Sequence, residues 1–320
     1  MTEEKLSDQN DDDKCEPETV AENNATEVTS TEGDSSNENS AEPETARYAV
    51  FGNPIEHSKS PQIHTAFAEQ TQQDLEYTKT LVEEDGFVEA ADQFFESGGR
   101  GLNITVPFKL EAFKYAHLVT DRAKTAGAAN TLIKQSDGKV LADNTDGVGM
   151  VTDIAQRLGW SIKGKKVLVL GAGGAVRGVL LPLLKARPHQ LVVVNRTAEK
   201  AEALADQFKK YADEHRCELK GGGYDSISTQ AFDIVINGTS ASLGGDLPPI
   251  PDGCFEEYAA AYDMMYGDDL TPFLSFAKDK GVKKLADGLG MLVGQAAVSF
   301  YMWRDVKPDV APVMEMLSKQ

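Results

Sequence analysis

Two side chains that could do chemistry stand just past apolar runs in this chain. Lys109 follows Val106-Pro107-Phe108, and Thr105 flanks the same stop; Asp146 lies in Asn144-Thr145-Asp146-Gly147. Ligands of open α/β folds bind beyond the carboxyl ends of strands, so an amine and a carboxylate placed there can meet across one cleft. Such a pair suits proton transfer to or from an alcohol while a hydride moves to or from a nicotinamide. A neighbouring carboxylate favours the charged ammonium, so a lysine used as a base needs burial or a cationic cofactor to offset that effect. A lysine near a proline is more often an ordinary solvated surface residue, so the spacing alone does not assign Lys109 to catalysis.

The second chemical signal runs from Val167 to Thr197. Val-Leu-Val-Leu leads into Gly171-Ala172-Gly173-Gly174-Ala175, a helical stretch follows, and Leu-Val-Val-Val then ends in Asn195-Arg196-Thr197. An apolar strand that meets glycines where a helix begins turns backbone N–H groups toward a pyrophosphate. The strict glycine pattern asks for a glycine at position 176, where this chain has valine. NAD sites usually carry Asp or Glu at the end of the second strand, to bond the ribose 2′-OH. Here Asn195 and Arg196 stand there, with Lys200 one turn on. A carboxylate would repel a 2′-phosphate and a guanidinium pairs with it, so the spacing points to NADP rather than NAD.

These groups need elements to hold them. A chain of 320 residues with 41% hydrophobic content can build two domains of ordinary size. No apolar run approaches the ~20 residues that cross a bilayer, and the first residues carry neither a basic nor an apolar signal segment, so no membrane span or secretory signal is expected. Cys15, Cys217 and Cys254 are scattered, which suits ordinary free thiols in a reducing cytoplasm. His57 and His64 are seven apart and could share a helix face, but no carboxylate cluster accompanies them, so no metal site is expected. The net charge is −19, and residues 1–46 hold 15 Asp and Glu against Lys5 and Lys14. Low hydropathy with high charge cannot offset the entropy of ordering, so 1–46 reads as a disordered acidic tail, and the acidic balance speaks against nucleic-acid binding.

From Arg47 the pattern becomes that of a folded chain. Tyr48–Phe51 reads as a strand, Pro61 opens a helix to Thr71, Leu75–Leu81 is a strand and Phe87–Glu96 a helix closed by Gly98-Gly99. A strand over 101–106, a helix over 109–118, a short turn opened by Asp121 and a hairpin around Asp137-Gly138 follow. Gly147–Leu158 reads as a helix between two lobes. Strand and helix then alternate (167–170, 175–186, 191–194, 198–213, 233–236, 259–263, 270–280, 283–285), which predicts a parallel sheet covered on both faces. A last helix over Met291–Trp303 comes too late to found a domain and is expected to return to the first lobe. The expected fold is therefore two-lobed α/β: a substrate domain over 47–147 and 291–320, and a Rossmann-like NADP-binding domain over 148–290.

Eight motifs in order resemble the shikimate dehydrogenase family: Gly52-Asn-Pro-Ile-Glu-His-Ser-Lys-Ser-Pro61, Asn103-Ile-Thr-Val-Pro-Phe-Lys109, Ala126-Gly-Ala-Ala-Asn-Thr131, Asn144-Thr-Asp-Gly147, Gly171–Ala175, Asn195-Arg-Thr197, Asp263-Met-Met-Tyr266 and Asp287-Gly-Leu-Gly-Met-Leu-Val-Gly-Gln-Ala296. The resemblance runs from Tyr48 to Trp303 and leaves the acidic tail without a counterpart. It implies NADPH-dependent, reversible reduction of 3-dehydroshikimate to shikimate on the route to aromatic amino acids, by a cytoplasmic monomer or homodimer. By similarity, Lys109 is the acid/base group with Asp146 as its partner. Ser58 and Ser60 match the pair that takes the substrate carboxylate, and Thr105, Asn130, Tyr266 and Gln295 match further substrate contacts. Gly171, Ala172, Gly173, Gly174 and Ala175 match the pyrophosphate turn, and Asn195, Arg196, Thr197 and Lys200 the adenosine-phosphate clamp. Met264 and Gly288 match positions near the nicotinamide, Asp121 a cofactor-side carboxylate and Asn237–Ser240 another cofactor-side loop. Taken singly, Ser58 and Ser60 could equally cap a helix, Asp121 likewise, and Gln295 could be a solvated helix residue. Ala129 and Thr65 replace a common valine and asparagine. The rival readings are a quinate/shikimate dehydrogenase with broader substrate or NAD use, and a non-catalytic metabolite-binding relative; retention of Lys109, Asp146 and the glycine turn speaks against the latter.

Overall fold

The computed structural model describes residues 45–239, 241 and 246–319. The tail expected over 1–46 falls outside these residues as far as position 44, as do Cys15 and Ser240. The boundary shifts by one residue, because the first strand, β1, already begins at Ala46 (Ala46–Gly52).

The elements then run in the order α1 (Ser60–Thr71), β2 (Leu75–Leu81), α2 (Phe87–Glu96), β3 (Gly99–Ile104), α3 (Lys109–Tyr115), β4 (Leu118–Val119), α4 (Asp121–Ala126), β5 (Thr131–Lys134), β6 (Val140–Asp143) and α5 (Asp146–Thr152). A π-helical turn over Asp153–Arg157 continues α5. Next come β7 (Lys166–Leu170), α6 (Gly174–Lys185), β8 (Gln190–Val194), α7 (Ala198–Glu214), β9 (Glu218–Gly222), β10 (Phe232–Asn237), β11 (Phe255–Asp263), α8 (Pro272–Asp279), β12 (Lys284–Ala286), α9 (Leu289–Arg304) and α10 (Val310–Ser318).

The strands make two six-stranded sheets. The first has the order β2-β1-β3-β5-β6-β4, with β5 antiparallel to both its neighbours. The hairpin joining β5 to β6 is the one expected at Asp137-Gly138, where Gly138 takes φ +83. Because β6 runs with β1 and β3, residues following all three strands gather on one edge of the sheet. The second sheet is wholly parallel, in the order β12-β11-β10-β7-β8-β9. This is the doubly wound order, whose reversal between β7 and β10 opens a crevice past the strand ends. Side-chain alternation along β7 fills two cores at once: Val167 and Val169 pack beside α5, α6 and α7, and Leu168 and Leu170 beside α8. Burial of both faces is why β7 and β8 read as unbroken apolar runs.

Helix α9 returns to the first sheet. It packs against α1, α5, α10, β3 and β5, which explains why it is apolar nearly all round and not on one face alone. Its approach to α5 is backbone on backbone: a Cβ on Gly149 would sit 2.5 Å from Gln295 N and 2.8 Å from Met291 O.

Some expected elements move. The helix expected over 109–118 stops at Tyr115, and Leu118 instead pairs with Leu141. Gly99 opens β3 as well as following α2. Strand β11 starts at Phe255, four residues earlier than the apolar pattern indicated. Strand β9, helix α10 and the short β4 carry no strong periodic signal and were not expected.

Candidate active site

Backbone bonds stitch three loops together beneath the site. Asn53 N–H donates to Val106 O (3.0 Å) and Thr105 N–H to Phe51 O (2.9 Å), which ties the turn after β1 to the turn after β3. Ala129 N–H donates to Lys109 O (2.8 Å), Ile104 N–H takes Asn130 O (2.8 Å) and Asn130 N–H takes Asp143 O (3.1 Å). Lys109, Asn130 and Asp146 are therefore held by the same set of strand ends.

Their side chains meet. Lys109 Nζ donates to Asp146 Oδ2 at 2.5 Å, with the lysine side chain 21% exposed and the aspartate 7%. The lysine side chain is thus partly exposed while its partner is buried. Asn130 Nδ2 donates to Asp146 Oδ1 (2.8 Å) and lies 3.1 Å from Gln295 Oε1. The backbone N–H of Thr145 donates to Asn130 Oδ1 (2.9 Å), and since that group can only donate, it sets which end of the amide faces Asp146. Each Asp146 oxygen has its own donor, and Asp146 opens α5, where a carboxylate is favoured by the helix dipole. Gln295 is buried against Asn130 on α9, so the solvated-helix reading of that residue does not hold.

Ser58 and Ser60 flank the start of α1. Neither is its cap: that position falls on Lys59, which makes no side-chain capping bond. The Ser58 hydroxyl accepts from Ser60 N–H (3.3 Å), and Ser60 is buried. Thr105 is half-buried, with its methyl against Gly52. From the other sheet, Tyr266 reaches the same loop: Lys59 Nζ lies 5.9 Å from the centre of its ring. Burial and the charge of Asp287 push the Tyr266 hydroxyl pKa up, so it stays a neutral donor.

The glycine turn follows β7. Gly171 takes φ +103, a region L side chains rarely adopt, and a Cβ there would lie 3.2 Å from Gly238 O. Gly173 and Gly174 are exposed, with nothing within 4 Å of where a Cβ would stand, and Ala172 and Ala175 are half-buried beside them. A phosphate can approach this backbone at the N-terminus of the 12-residue α6. Val176, in place of the third glycine, is fully buried and packs on Gly238 of the loop after β10. At the end of β8, Asn195 Nδ2 donates to Thr197 O (3.0 Å) and braces the turn. Arg196 and Lys200 are exposed, and among the described residues neither forms an ion pair. Met264 N–H bonds Asn237 O (2.9 Å), and Gly288 lies so near the Met264 carbonyl that a Cβ would collide with it. Open glycine backbone, a helix N-terminus and two unpaired cations fit a dinucleotide with an added phosphate.

Asp121 is exposed as the first residue of α4, and the cap is Thr120, whose hydroxyl accepts from Ala123 N–H. His57 lies in the turn ahead of α1 and His64 is buried within the helix, so they share no face. Burial pushes the Cys217 and Cys254 thiols up to about 11, which keeps them protonated. Sequence reasoning missed a buried polar group beside the site: His64, Tyr77, Asn103, Thr131 and Ser299. The available signal was an isolated polar residue in each of two apolar elements, Asn103 in β3 and Ser299 in α9. It missed also the Arg122–Asp143 ion pair, whose carboxylate accepts from Asn144 N–H and so braces the turn into Asp146.

Three family models match the chain: the shikimate dehydrogenase substrate binding domain over 50–132, shikimate/quinate 5-dehydrogenase over 153–243, and the shikimate 5′-dehydrogenase C-terminal domain over 288–317. The NADP(+) shikimate dehydrogenase of Cellvibrio japonicus is 60% identical over 273 residues, covering 85% of this chain and 97% of that protein. The crystal structure of an Ael1 enzyme from Pseudomonas putida is 48% identical, covers 85% of this chain and 98% of that one, and superposes with a TM-score of 0.80. The Thermus thermophilus shikimate 5-dehydrogenase, solved with NADP(H) and shikimate, is 31% identical with a TM-score of 0.74, covering 86% and 98%. With these matches, an amine–carboxylate pair past the strand ends of the first sheet and a glycine turn after β7 of the second, the chain belongs to the shikimate dehydrogenase family.

Proposed function

We propose that the protein interconverts 3-dehydroshikimate and shikimate with NADP(H), as its relatives' names indicate, and that the Lys109–Asp146 pair carries the proton. The supporting observation is the 2.5 Å contact between a partly exposed lysine and a buried carboxylate that also accepts from Asn130. When bound, the nicotinamide supplies the site that gives or accepts the hydride. Gly171–Ala175 and the N-terminus of α6 would hold its pyrophosphate, and Arg196 and Lys200 the 2′-phosphate, with Asn195 and Thr197 shaping their turn. Met264 and Gly288 would flank the nicotinamide end, and Asp121 is a cofactor-side carboxylate on the family pattern. Residues 47–147 with 291–320 would then form the substrate side and 148–290 the cofactor side.

In reduction the Lys109 ammonium gives a proton to the substrate oxygen as the carbonyl becomes an alcohol; in the oxidising direction it is the neutral amine form, its proton already released, that takes the proton of the substrate hydroxyl. Asp146 holds the amine in place and balances its charge, and Asn130 holds Asp146. Ser58 and Ser60 donate to the substrate carboxylate at the start of α1, where negative charge is favoured. Thr105, Gln295 and the neutral Tyr266 hydroxyl enclose the ring and exclude water. The same reading carries a cytoplasmic monomer or homodimer; no helix among the described residues is long and apolar enough to cross a membrane.

A two-by-two assay of shikimate or quinate with NADP or NAD tests this. Turnover confined to shikimate with NADP is expected. Equal use of quinate or NAD would favour a quinate/shikimate enzyme, to which the second family model also extends, and no turnover of any pair would refute the catalytic reading.

A further inference from the structure

Two buried polar groups stand outside the catalytic account. The first belongs to the substrate side: Asn103 Nδ2 lies 3.1 Å from Ser299 Oγ and 3.3 Å from Thr131 Oγ1, and Thr131 Oγ1 lies 3.0 Å from Asn130 Oδ1, on the amide that holds Asp146. The second lies at the carboxyl ends of β10 and β11, where Asn237 and Asp263 are both fully buried. Backbone groups fix its donors and acceptors. Thr239 N–H donates to Asn237 Oδ1 (3.1 Å), and a backbone N–H can only donate, so Asn237 Nδ2 is the end that faces Asp263 Oδ1 at 3.0 Å. The Thr239 hydroxyl also donates to Asn237 Oδ1 (2.7 Å). Asp263 Oδ1 accepts as well from Met265 N–H (3.0 Å), and Asp263 Oδ2 accepts from the Thr271 hydroxyl (2.6 Å), which caps α8 by accepting from Leu274 N–H (3.3 Å).

One side-chain bond thus joins two turns. Asn237 shapes the turn after β10 through Thr239, and Asp263 shapes the turn after β11 through Met265. Met264, between them, donates its N–H to Asn237 O (2.9 Å). The turns are packed edge to edge along the cofactor side. Gly238 N–H donates to Leu170 O (2.9 Å), the residue before the glycine turn. A Cβ on Gly238 would stand 3.1 Å from Met264 Sδ, and one on Gly288 2.2 Å from Met264 O and 3.3 Å from Asp263 O. Met264 is therefore boxed between the turn after β10 and the start of α9. A buried polar group left without its partner is costly, so the bonded pair holds both turns in one arrangement.

We propose that Asn237 and Asp263 are positioning residues for the nicotinamide end of the cofactor: their bond locks the turn bearing Met264 to the turn after β10, at a fixed place relative to the glycine turn. The adenosine end is set elsewhere, because Arg196 and Lys200 follow β8, on the other side of β7 from β10 and β11. This rests on the cofactor roles proposed above for Gly171–Ala175, Arg196, Met264 and Gly288.

Two probes separate the ends: NADPH, which occupies both, and adenosine 2′,5′-bisphosphate, which occupies the adenosine end alone. Asp263→Ala is expected to weaken NADPH binding, read from cofactor fluorescence, by about five- to twentyfold, the usual consequence of stripping a partner from buried polar groups. Binding of adenosine 2′,5′-bisphosphate, read by calorimetry, is expected to stay within about twofold, since the two ends share no partner. Asp263→Asn keeps an oxygen for Met265 and Asn237 and turns its nitrogen to Thr271 Oγ1, which can accept, so NADPH binding within about threefold of wild type is expected. A loosened fold would weaken both probes alike. Should Asp263→Ala fail to fold, Asn237→Ala cuts the same tie and leaves Asp263 its Met265 and Thr271 donors; the same split between the probes is expected. Equal losses on the two probes, a loss in Asp263→Asn as large as in Asp263→Ala, or unchanged NADPH binding in a folded Asp263→Ala or Asn237→Ala variant would overturn the proposal. Failure of the wild type to bind NADPH would instead refute the cofactor reading beneath it.

Discussion

Removing the Lys109 amine is the sharpest test of the site. Lys109→Ala deletes the group 2.5 Å from Asp146 Oδ2 and leaves the carboxylate its Asn130 donor at 2.8 Å. Loss of a positioned acid–base group costs typically 10²- to 10⁴-fold, or about 3–5 kcal/mol of barrier. The stability cost should be smaller. Breaking a fully buried ion pair costs about 3–5 kcal/mol, but the lysine side chain is 21% exposed, and Asp146 keeps a donor, so about 1–2 kcal/mol is expected. The variant should therefore fold, bind NADPH within about twofold of wild type, and oxidise NADPH with 3-dehydroshikimate about 10³-fold more slowly. Lys109→Arg keeps the charge but not a titratable amine, and should be nearly as slow. Asp146→Asn added to Lys109→Ala should cost little more, because the two act as a unit. Binding follows from cofactor fluorescence, turnover from loss of NADPH absorbance, and folding from thermal melting. Activity of a folded Lys109→Ala variant within a few-fold of wild type would refute the assignment.

Arg196→Asp should raise the KM for NADP by about 10- to 100-fold, the worth of a charge-assisted phosphate contact, and should narrow or reverse the preference over NAD; an unchanged NADP/NAD ratio of kcat/KM would count against the clamp. His64 should make the fold sensitive to acid. Its pKa is about 3 in the folded chain and 6.5 when unfolded, so the unfolded state takes the proton first as pH falls. The contribution is complete above pH 6.5 and shrinks by about 1.4 kcal/mol per unit below it, about 2 kcal/mol between pH 7 and pH 5. Urea unfolding at the two pH values should show this loss, and His64→Phe, though less stable at pH 7, should show a slope shallower by that amount; equal slopes would refute it.

The parallel sheet was legible because burial on both faces leaves β7 and β8 no room for polar residues, and because glycine marks the turn into α6. Strand β9 was not, and the reason is physical. It is an edge strand whose side chains alternate between solvent and protein, and a Cβ on its Gly221 would collide with the Ala201 carbonyl of α7. Glycine there serves close helix approach, which strand propensity counts as a penalty. Helix α10 is short, has Pro312 near its start and docks through only Val313 and Leu317 among its fully buried residues, so periodicity had little to work on.

The site divides along a different line. Lys109, Asp146 and the glycine turn stood out because their residue types imply chemistry at strand ends, although spacing alone left Lys109 open and the resemblance decided it. The array behind them was invisible for the opposite reason. Asn103 and Ser299 meet across 196 positions, and either alone in an apolar element is a liability of about 1–3 kcal/mol when unpaired. Only the pairing turns that liability into rigidity, so the relevant information lies in which residues meet and not in what each one is. Gln295 shows the consequence: three turns' worth of apolar neighbours made it look like a solvated exception on α9, whereas its carbonyl oxygen beside Asn130 closes the frame around Asp146. A polar residue isolated on an apolar helix in a two-sheet enzyme is thus better treated as half of an unseen pair, and here the other halves all lead to the amine at position 109.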